Sequence, residues 1–304
     1  SANRWNSIGM ISFLIIGLSV MIYIMNLYIP LTLPKAASEH GEAIDGLMKI
    51  NWTVLFITFF ITQILLFFFA FKYRYNKNRR SFYFHDNNKL EAIWTIIPTI
   101  VLAALITTGM SEWNDITKKS ASMKGIVIQI YAKQFDFTAR YAGKDNKLGS
   151  SFFRSITDTN PLGVDSADAA TADDLVAKEL VLPKGAEVQL MINSRDVIHS
   201  VYLPHFRVQM NAVPGMTTRF AFKPTKTTAE MQKETGNPKF EFIMLCNKIC
   251  GVAHYNMKMP VRVVEPAEYE EWLKTQSAVF PKEEAAAPAT TPAPADSAAT
   301  SMAK

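Results

Sequence analysis

Charge-free stretches dominate the first third of the chain. Ile8 to Ile29 carries no charged side chain, Trp52 to Phe71 repeats the pattern, and Ala92 to Met110 repeats it again. Each run is about 20 residues long, enough to cross a roughly 30 Å hydrocarbon core. One such run could be a helix buried in a soluble core, but three within the first 110 residues predict three membrane spans. The first run can also be read as the apolar part of a secretory signal, with Arg4 before it and Pro30 after it. It is longer than a usual signal core and no small-x-small cleavage pattern follows, so a retained span is expected, with a processed signal as the alternative.

Beyond the third run the pattern changes to short β-rich segments between turn residues, the signature of an all-β sandwich or barrel. Candidate strands are Gly125 to Tyr131, Phe135 to Tyr141, Glu179 to Leu182, Glu187 to Asn193, Val197 to Leu203, Thr217 to Phe222, Phe240 to Leu245 and Lys258 to Val264. The alternation of Val188, Leu190 and Ile192 gives one apolar and one wetter face, as two closing sheets require. Residues 144–177 break the pattern with Gly, Ser, Ala and aspartates that include Asp165, Asp168, Asp173 and Asp174, and are expected to be a long surface insertion. Pro266 to Lys274 predicts a short helix. After Glu283 the Ala- and Pro-rich sequence has too little apolar surface to offset its ordering entropy and is expected to be disordered. The chain thus divides into an anchor over 1–112 (spans about 8–29, 52–71 and 92–110), a β domain over 113–275 and a tail over 276–304.

Charge orients the anchor. The segment between the second and third spans carries Lys72, Arg74, Lys77, Arg79, Arg80 and Lys89, whereas that between the first and second has only Lys35 and Lys49. Basic loops stay inside during insertion, which puts the N-terminus in the cytoplasm and the chain beyond about residue 112 outside. The net charge of +5 therefore calls for no nucleic-acid partner: residues 111–282 hold 22 basic and 19 acidic side chains, so the outer domain is close to neutral.

Candidate chemistry is concentrated in one segment. The only two cysteines lie in Cys246-Asn-Lys-Ile-Cys250-Gly-Val-Ala-His254-Tyr-Asn-Met257. In an oxidising outer compartment two lone cysteines suggest a disulfide. Against that stand an imidazole four residues after the second thiol, a thioether three further on, and His199 on another candidate strand. Soft sulfur donors with imidazole favour copper. A single-copper electron-transfer site needs one Cys, so two thiolates suit a pair of coppers bridged by both sulfurs, each ion completed by one imidazole and a weak axial donor. Zinc held by Cys-Cys-His-His is the inorganic alternative, and it leaves Met257 idle. His205 and Met210 are expected to be packing or surface residues.

These residues resemble subunit II of cytochrome c oxidase. The resemblance is carried by Glu91-Ala-Ile-Trp94-Thr-Ile-Ile-Pro98, Asp196-Val-Ile-His199-Ser200, Ala212-Val-Pro214-Gly215 and the cysteine segment, in that family's order, over roughly residues 50–275. It implies a membrane-anchored all-β protein, with a cupredoxin-like barrel holding the binuclear copper centre CuA. It further implies that Cys246 and Cys250 bridge two coppers, that His199 and His254 bind one each, that Met257 is the axial sulfur, and that the Lys248 carbonyl is the weak ligand. By the same resemblance the chain accepts electrons from cytochrome c and passes them to haem in subunit I, where a further copper helps reduce O2 and protons are pumped. Partners are then subunits I and III, a cytochrome c or cytochrome c domain, and the lipid of a bacterial inner membrane, with the copper domain on its periplasmic face. Glu91 matches a family carboxylate at the mouth of a proton-uptake channel.

Two positions depart from the family. Lys248 stands where a Glu usually also binds magnesium, which puts the magnesium site in doubt. Phe135, in Gln134-Phe135-Asp136-Phe137, stands where a Trp receives the electron. With a near-neutral outer domain, this points to a donor held in a stable complex, including a supercomplex with a quinol-oxidising enzyme. Two competing functions remain at this point: a quinol oxidase subunit, which lacks the thiols, and an outer domain stapled by zinc or a disulfide that serves only assembly.

Overall fold

A computed structural model describes residues 2–80, 82–122 and 125–280; the expected disordered segment after Glu283 lies outside the described residues. Three long helices open the chain: α1 (Ala2–Thr32), α2 (Glu39–Lys72) and α3 (Asn88–Ser122). All three are long and apolar enough to cross a membrane, and no residue of their apolar windows is buried within the chain. Pro98 lies inside α3, and neighbouring hydroxyls bond back along the helix: Thr99 Oγ1 donates to the Thr95 carbonyl at 2.6 Å and Thr108 Oγ1 to Ala104 at 2.8 Å. α1 meets α2 through the stacked rings of Phe13 and Phe67, 6.1 Å apart.

The helices overrun the expected spans. α2 begins at Glu39 and α3 continues unbroken to Ser122, where Ile116 and Ser120 are buried. The anchor expected to end at residue 112 therefore continues as helix up to the β domain. Absence of charge marks only the part long enough to cross a bilayer; the extension carries Glu112, Asp115, Lys118 and Lys119 and offers no such signal.

The β domain contains β1 (Ile126–Lys133), β2 (Asp136–Tyr141), β3 (Leu175–Ala177), β4 (Leu180–Pro183), β5 (Val188–Ser194), β6 (His199–Leu203), β7 (Val208–Ala212), β8 (Thr218–Phe222), α4 (Thr228–Thr235), β9 (Phe242–Leu245), β10 (Lys258–Val264), α5 (Pro266–Lys274) and β11 (Ser277–Ala278). One sheet runs β11-β3-β2-β1-β5-β8 and the other β4-β10-β9-β6-β7. β1 is parallel to β5 and β4 to β10; the remaining pairs are antiparallel. Between the sheets lie Ile128, Ile130, Leu180, Leu190, Ile192, Val201, Phe242 and Val261, all buried. This two-sheet barrel is the expected fold. Structured chain continues past residue 275, however, because Ser277 and Ala278 pair with Val176 and Leu175 of β3.

The aspartate-rich insertion is tied down rather than loose. Asp174 is fully buried and pairs with buried Arg140, whose guanidinium also donates to the Gly149 carbonyl at 2.7 Å and to Gln129 Oε1 at 3.3 Å. Asp168 accepts from the Ser150 amide and hydroxyl, each at 2.7 Å, and Asp173 accepts from the Lys144 amide at 2.6 Å. These carboxylates close the loop on itself. Asp165 is exposed, as a surface insertion predicts, whereas Asp174 is buried.

A polar clamp joins anchor to barrel. Arg207, in the turn between β6 and β7 with φ of 53°, pairs bidentately with Asp45 of α2 at 2.7 and 2.9 Å and donates to the Pro34 carbonyl. Ser38 Oγ donates to the Phe206 carbonyl at 2.7 Å, and the Ala37 amide to that of His205 at 2.7 Å.

Candidate metal centre

β9 and β10 are antiparallel, with Leu245 opposite Lys258, so the loop between them starts at Cys246 and returns at Met257. The Cys246 amide donates to the Met257 carbonyl at 3.2 Å and closes the loop at its base. β6 runs beside β9 through the pair Tyr202 and Leu245, which carries His199 to the same end of the sheet. Between the cysteines and Met257 the chain makes a tight turn at His254–Asn256, with the His254 amide bonded to the Gly251 carbonyl at 3.1 Å.

Two thiols sit at the centre. Cys246 Sγ and Cys250 Sγ are 3.9 Å apart, free and buried. His199 Nδ1 faces Cys246 Sγ at 4.0 Å, and the Lys248 carbonyl lies 3.2 Å from the same sulfur. Cys250 Sγ is 3.6 Å from His254 Nδ1 and 3.7 Å from Met257 Sδ. Ligand-capable atoms of His199, Cys246 and Cys250 all fall within 4.8 Å of one another. Thus Cys246, Lys248, Cys250, His254, Met257 and His199, expected together from the sequence, do converge. The Lys248 side chain itself is exposed.

Burial first, and the neighbouring Cys246 second, push the Cys250 thiol up to about 11. In the metal-free chain this thiol is therefore protonated at neutral pH, and a cation must displace the proton to bind. The donor set is two thiols, two imidazole nitrogens, a thioether and a carbonyl, with no carboxylate. It suits soft thiophilic copper and not magnesium or calcium.

Around the donors lies a supporting shell that the sequence did not reveal. His199 Nε2 is 2.8 Å from Asp196 Oδ1, so the carboxylate can accept a hydrogen bond from Nε2–H and leave Nδ1 as the donor atom facing the sulfur. The other Asp196 oxygen accepts the Gln134 amide at 2.8 Å. Burial raises the Asp196 carboxyl, but hydrogen bonds from the Gln134 amide, His199 and the Val197 amide outweigh it and hold the group below its ordinary value. Gln134 Nε2 also donates to the Cys250 carbonyl. Gly251 has φ of 142°, and a Cβ there would stand 2.8 Å from Gln134 Nε2 and 2.8 Å from the Phe135 ring. Asp196 three residues before a candidate ligand was the one available signal; Gln134 and Gly251 carry none, because their contacts join segments more than 110 residues apart.

Phe135 is half-buried against the core and touches the copper loop beside Gly251. Glu91 is elsewhere: it lies exposed in the first turn of α3, roughly 45 Å along that helix from its barrel end. His205 is edge-on to Phe240 and Phe242, at 5.2 and 5.3 Å, and burial, with Arg207 adding to it, lowers its pKa. Met210 packs against the core. The crest of the copper loop is apolar and open, with Ile249, Val252 and Tyr255 at 91%, 92% and 88% exposure.

Comparison with known proteins gives consistent results. The family model described as "Cytochrome C oxidase subunit II, transmembrane domain" matches residues 23–110, and that for the "periplasmic domain" of the same subunit matches residues 126–265. The alternative cytochrome c oxidase subunit 2 of Bradyrhizobium diazoefficiens is 32% identical over 231 residues, 75% of this chain and 78% of that protein. Cytochrome c oxidase subunit 2 of Thermostichus vulcanus is 29% identical over 272 residues, 81% of this chain and 79% of that protein. Among solved structures, the periplasmic domain of subunit II of cytochrome oxidase from Bradyrhizobium japonicum is 25% identical, with TM-score 0.33, over 50% of this chain and 94% of that one.

Proposed function

The chain belongs to the cytochrome c oxidase subunit II family, and from that premise we propose that it takes electrons from a cytochrome c donor at a binuclear copper centre and hands them to haem in subunit I, where O2 is reduced to water and protons are pumped. Its membrane anchor and periplasmic domain belong to that family's plan. The membrane is then a bacterial inner membrane, and subunits I and III cover part of the apolar surface of the three helices, the rest facing lipid.

In this proposal the thiolates of Cys246 and Cys250 would hold both coppers, with His199 and His254 supplying one nitrogen each, Met257 its sulfur and Lys248 its carbonyl oxygen. When bound, the copper pair supplies a one-electron store that fills and empties with little geometric change. The chain's own residues prepare that store: buried thiols exclude water, Asp196 fixes the ring of His199, and Gln134 ties the Cys250 carbonyl to β1. Phe135, lying against the loop, provides a packed path for the incoming electron. Glu91 gathers protons at the other end of the anchor. A donor docking on the apolar crest rather than on charges suits a near-neutral domain, and a cytochrome c held in a stable complex follows from this.

The observation that carries this proposal is the gathering of four soft or neutral donors around two thiol sulfurs 3.9 Å apart. The test is metal content and colour of the purified complex. The native complex should hold two coppers more than a Cys246→Ser/Cys250→Ser variant and show a near-infrared absorption band that the variant lacks. Equal copper in both would end the proposal.

A further inference from the structure

At the far end of the anchor from the copper loop, the start of α1 and the end of α2 line an open hollow of about 540 Å³. Every charged residue lining it is a cation: Arg4 from α1, and Lys72, Arg74, Lys77 and Arg79 from the end of α2 and the turn that follows. Among the described residues, none of the five forms an ion pair with a carboxylate.

The cations are held in place by the backbone and by aromatic rings. Arg79 Nη2 donates to the Lys72 and Arg74 carbonyls at 3.0 and 3.2 Å, and Arg74 Nη1 donates to the Phe71 carbonyl at 2.9 Å. The Lys72 ammonium stands 5.4 Å from the Phe68 ring centre and 5.6 Å from that of Tyr73. Like charges lining one hollow repel one another, and an anion there relieves that repulsion.

Depth identifies the anion. The apolar run of α2 ends at Phe71 and the cations begin at Lys72, which is the level where hydrocarbon gives way to headgroups. Phe82, Tyr83 and Phe84 on the same loop are exposed at 86%, 84% and 62%, as an interfacial aromatic belt would be. A basic hollow between membrane helices on the positively charged side fits a lipid phosphate. We propose that this cavity binds the phosphate of an anionic phospholipid headgroup in the cytoplasmic leaflet, with the acyl chains against the exposed apolar faces of α1 and α2.

The test uses the whole oxidase complex in phosphatidylcholine nanodiscs, titrated with spin-labelled phosphatidylglycerol. The native complex should hold the labelled lipid about tenfold more tightly than a Lys72→Gln/Arg74→Gln/Lys77→Gln/Arg79→Gln variant, since each cation near the surface adds to the attraction. Equal retention by both overturns the proposal. So does binding of inorganic phosphate as tight as that of the labelled lipid, because that would make the cavity a site for the free ion. If the fourfold variant does not assemble, a photoactivatable phosphatidylglycerol on the native complex decides: crosslinks within residues 72–80 support the site, and crosslinks only elsewhere overturn it.

Discussion

Asp196 and His199 share a hydrogen bond of 2.8 Å, and the same carboxylate holds the Gln134 amide at 2.8 Å. A metal-facing imidazole is thereby tied to the β1–β2 turn that carries Phe135. Replacing Asp196 with Asn frees the ring and allows the wrong tautomer. Copper affinity should fall about 10- to 100-fold, read by competitive copper titration of the full-length protein, with a shifted near-infrared band.

Gly251 faces Gln134 and Phe135 across a gap that admits no Cβ. Gly251→Ala should cost about 1–3 kcal/mol through its left-handed backbone and the collision. Thermal unfolding of the complex gives the stability change, and copper content shows whether the loop still closes. An alanine variant as stable and as copper-rich as the native protein would show that the neighbours move aside freely.

Copper loading should depend on pH in one direction. The Cys250 thiol sits at about 11 in the metal-free chain, raised by burial and then by Cys246, so across neutral pH the neutral thiol predominates. Each displaced proton makes apparent affinity rise about tenfold per pH unit below that value and fall as acid is added. Titrations at about pH 6 and pH 8, together with proton release in weak buffer, check the sign. Affinity unchanged over this range would contradict it.

Arg140 and Asp174 are fully buried partners beneath the insertion. Asp174→Ala strands a guanidinium in the interior, and the expected loss is about 3–5 kcal/mol. Asp165→Asn, on the exposed part of the same loop, should stay within about 0.5 kcal/mol. Chemical denaturation of both variants separates a structural tie from a surface charge.

Lys248 presents an ammonium where the resemblance to the family implies a magnesium-binding carboxylate, and we expect that charge to take the ion's place. Lys248→Glu should create a divalent-ion site, detected as bound manganese by its paramagnetic resonance. A native complex that already binds manganese at this residue would refute the substitution.

How much of this was legible in the sequence depends on the range of the interaction. The three spans were visible because charge is absent for about 20 residues at a time, a local property. Strands such as β5 and β10 were visible through alternation. β7 was missed because Gln209 and Asn211 read as turn residues and its place in the sheet is given by pairing with β6. β11 and β3 are too short to show a period. The helix α4 did leave a signal, the Thr227–Glu230 capping box and the Gly236 stop, between residues too polar to suggest a helix. The donor loop was readable because its sulfur and nitrogen donors lie within 12 residues. Its support was not, since Gln134, Asp196 and Gly251 meet only after the sheets close.

The continuity of α3 from Asn88 to Ser122 makes the outer half of the protein a mast rather than a tethered float. With Arg207 stayed to Asp45 on the neighbouring helix, the altitude of the sulfur-bearing loop over the bilayer becomes a fixed dimension. One residue added between 111 and 122 would turn the end of α3 by about 100° and lift it by about 1.5 Å, against the hold of α2 on the barrel, so the length of a helix bears on the direction in which a redox centre looks.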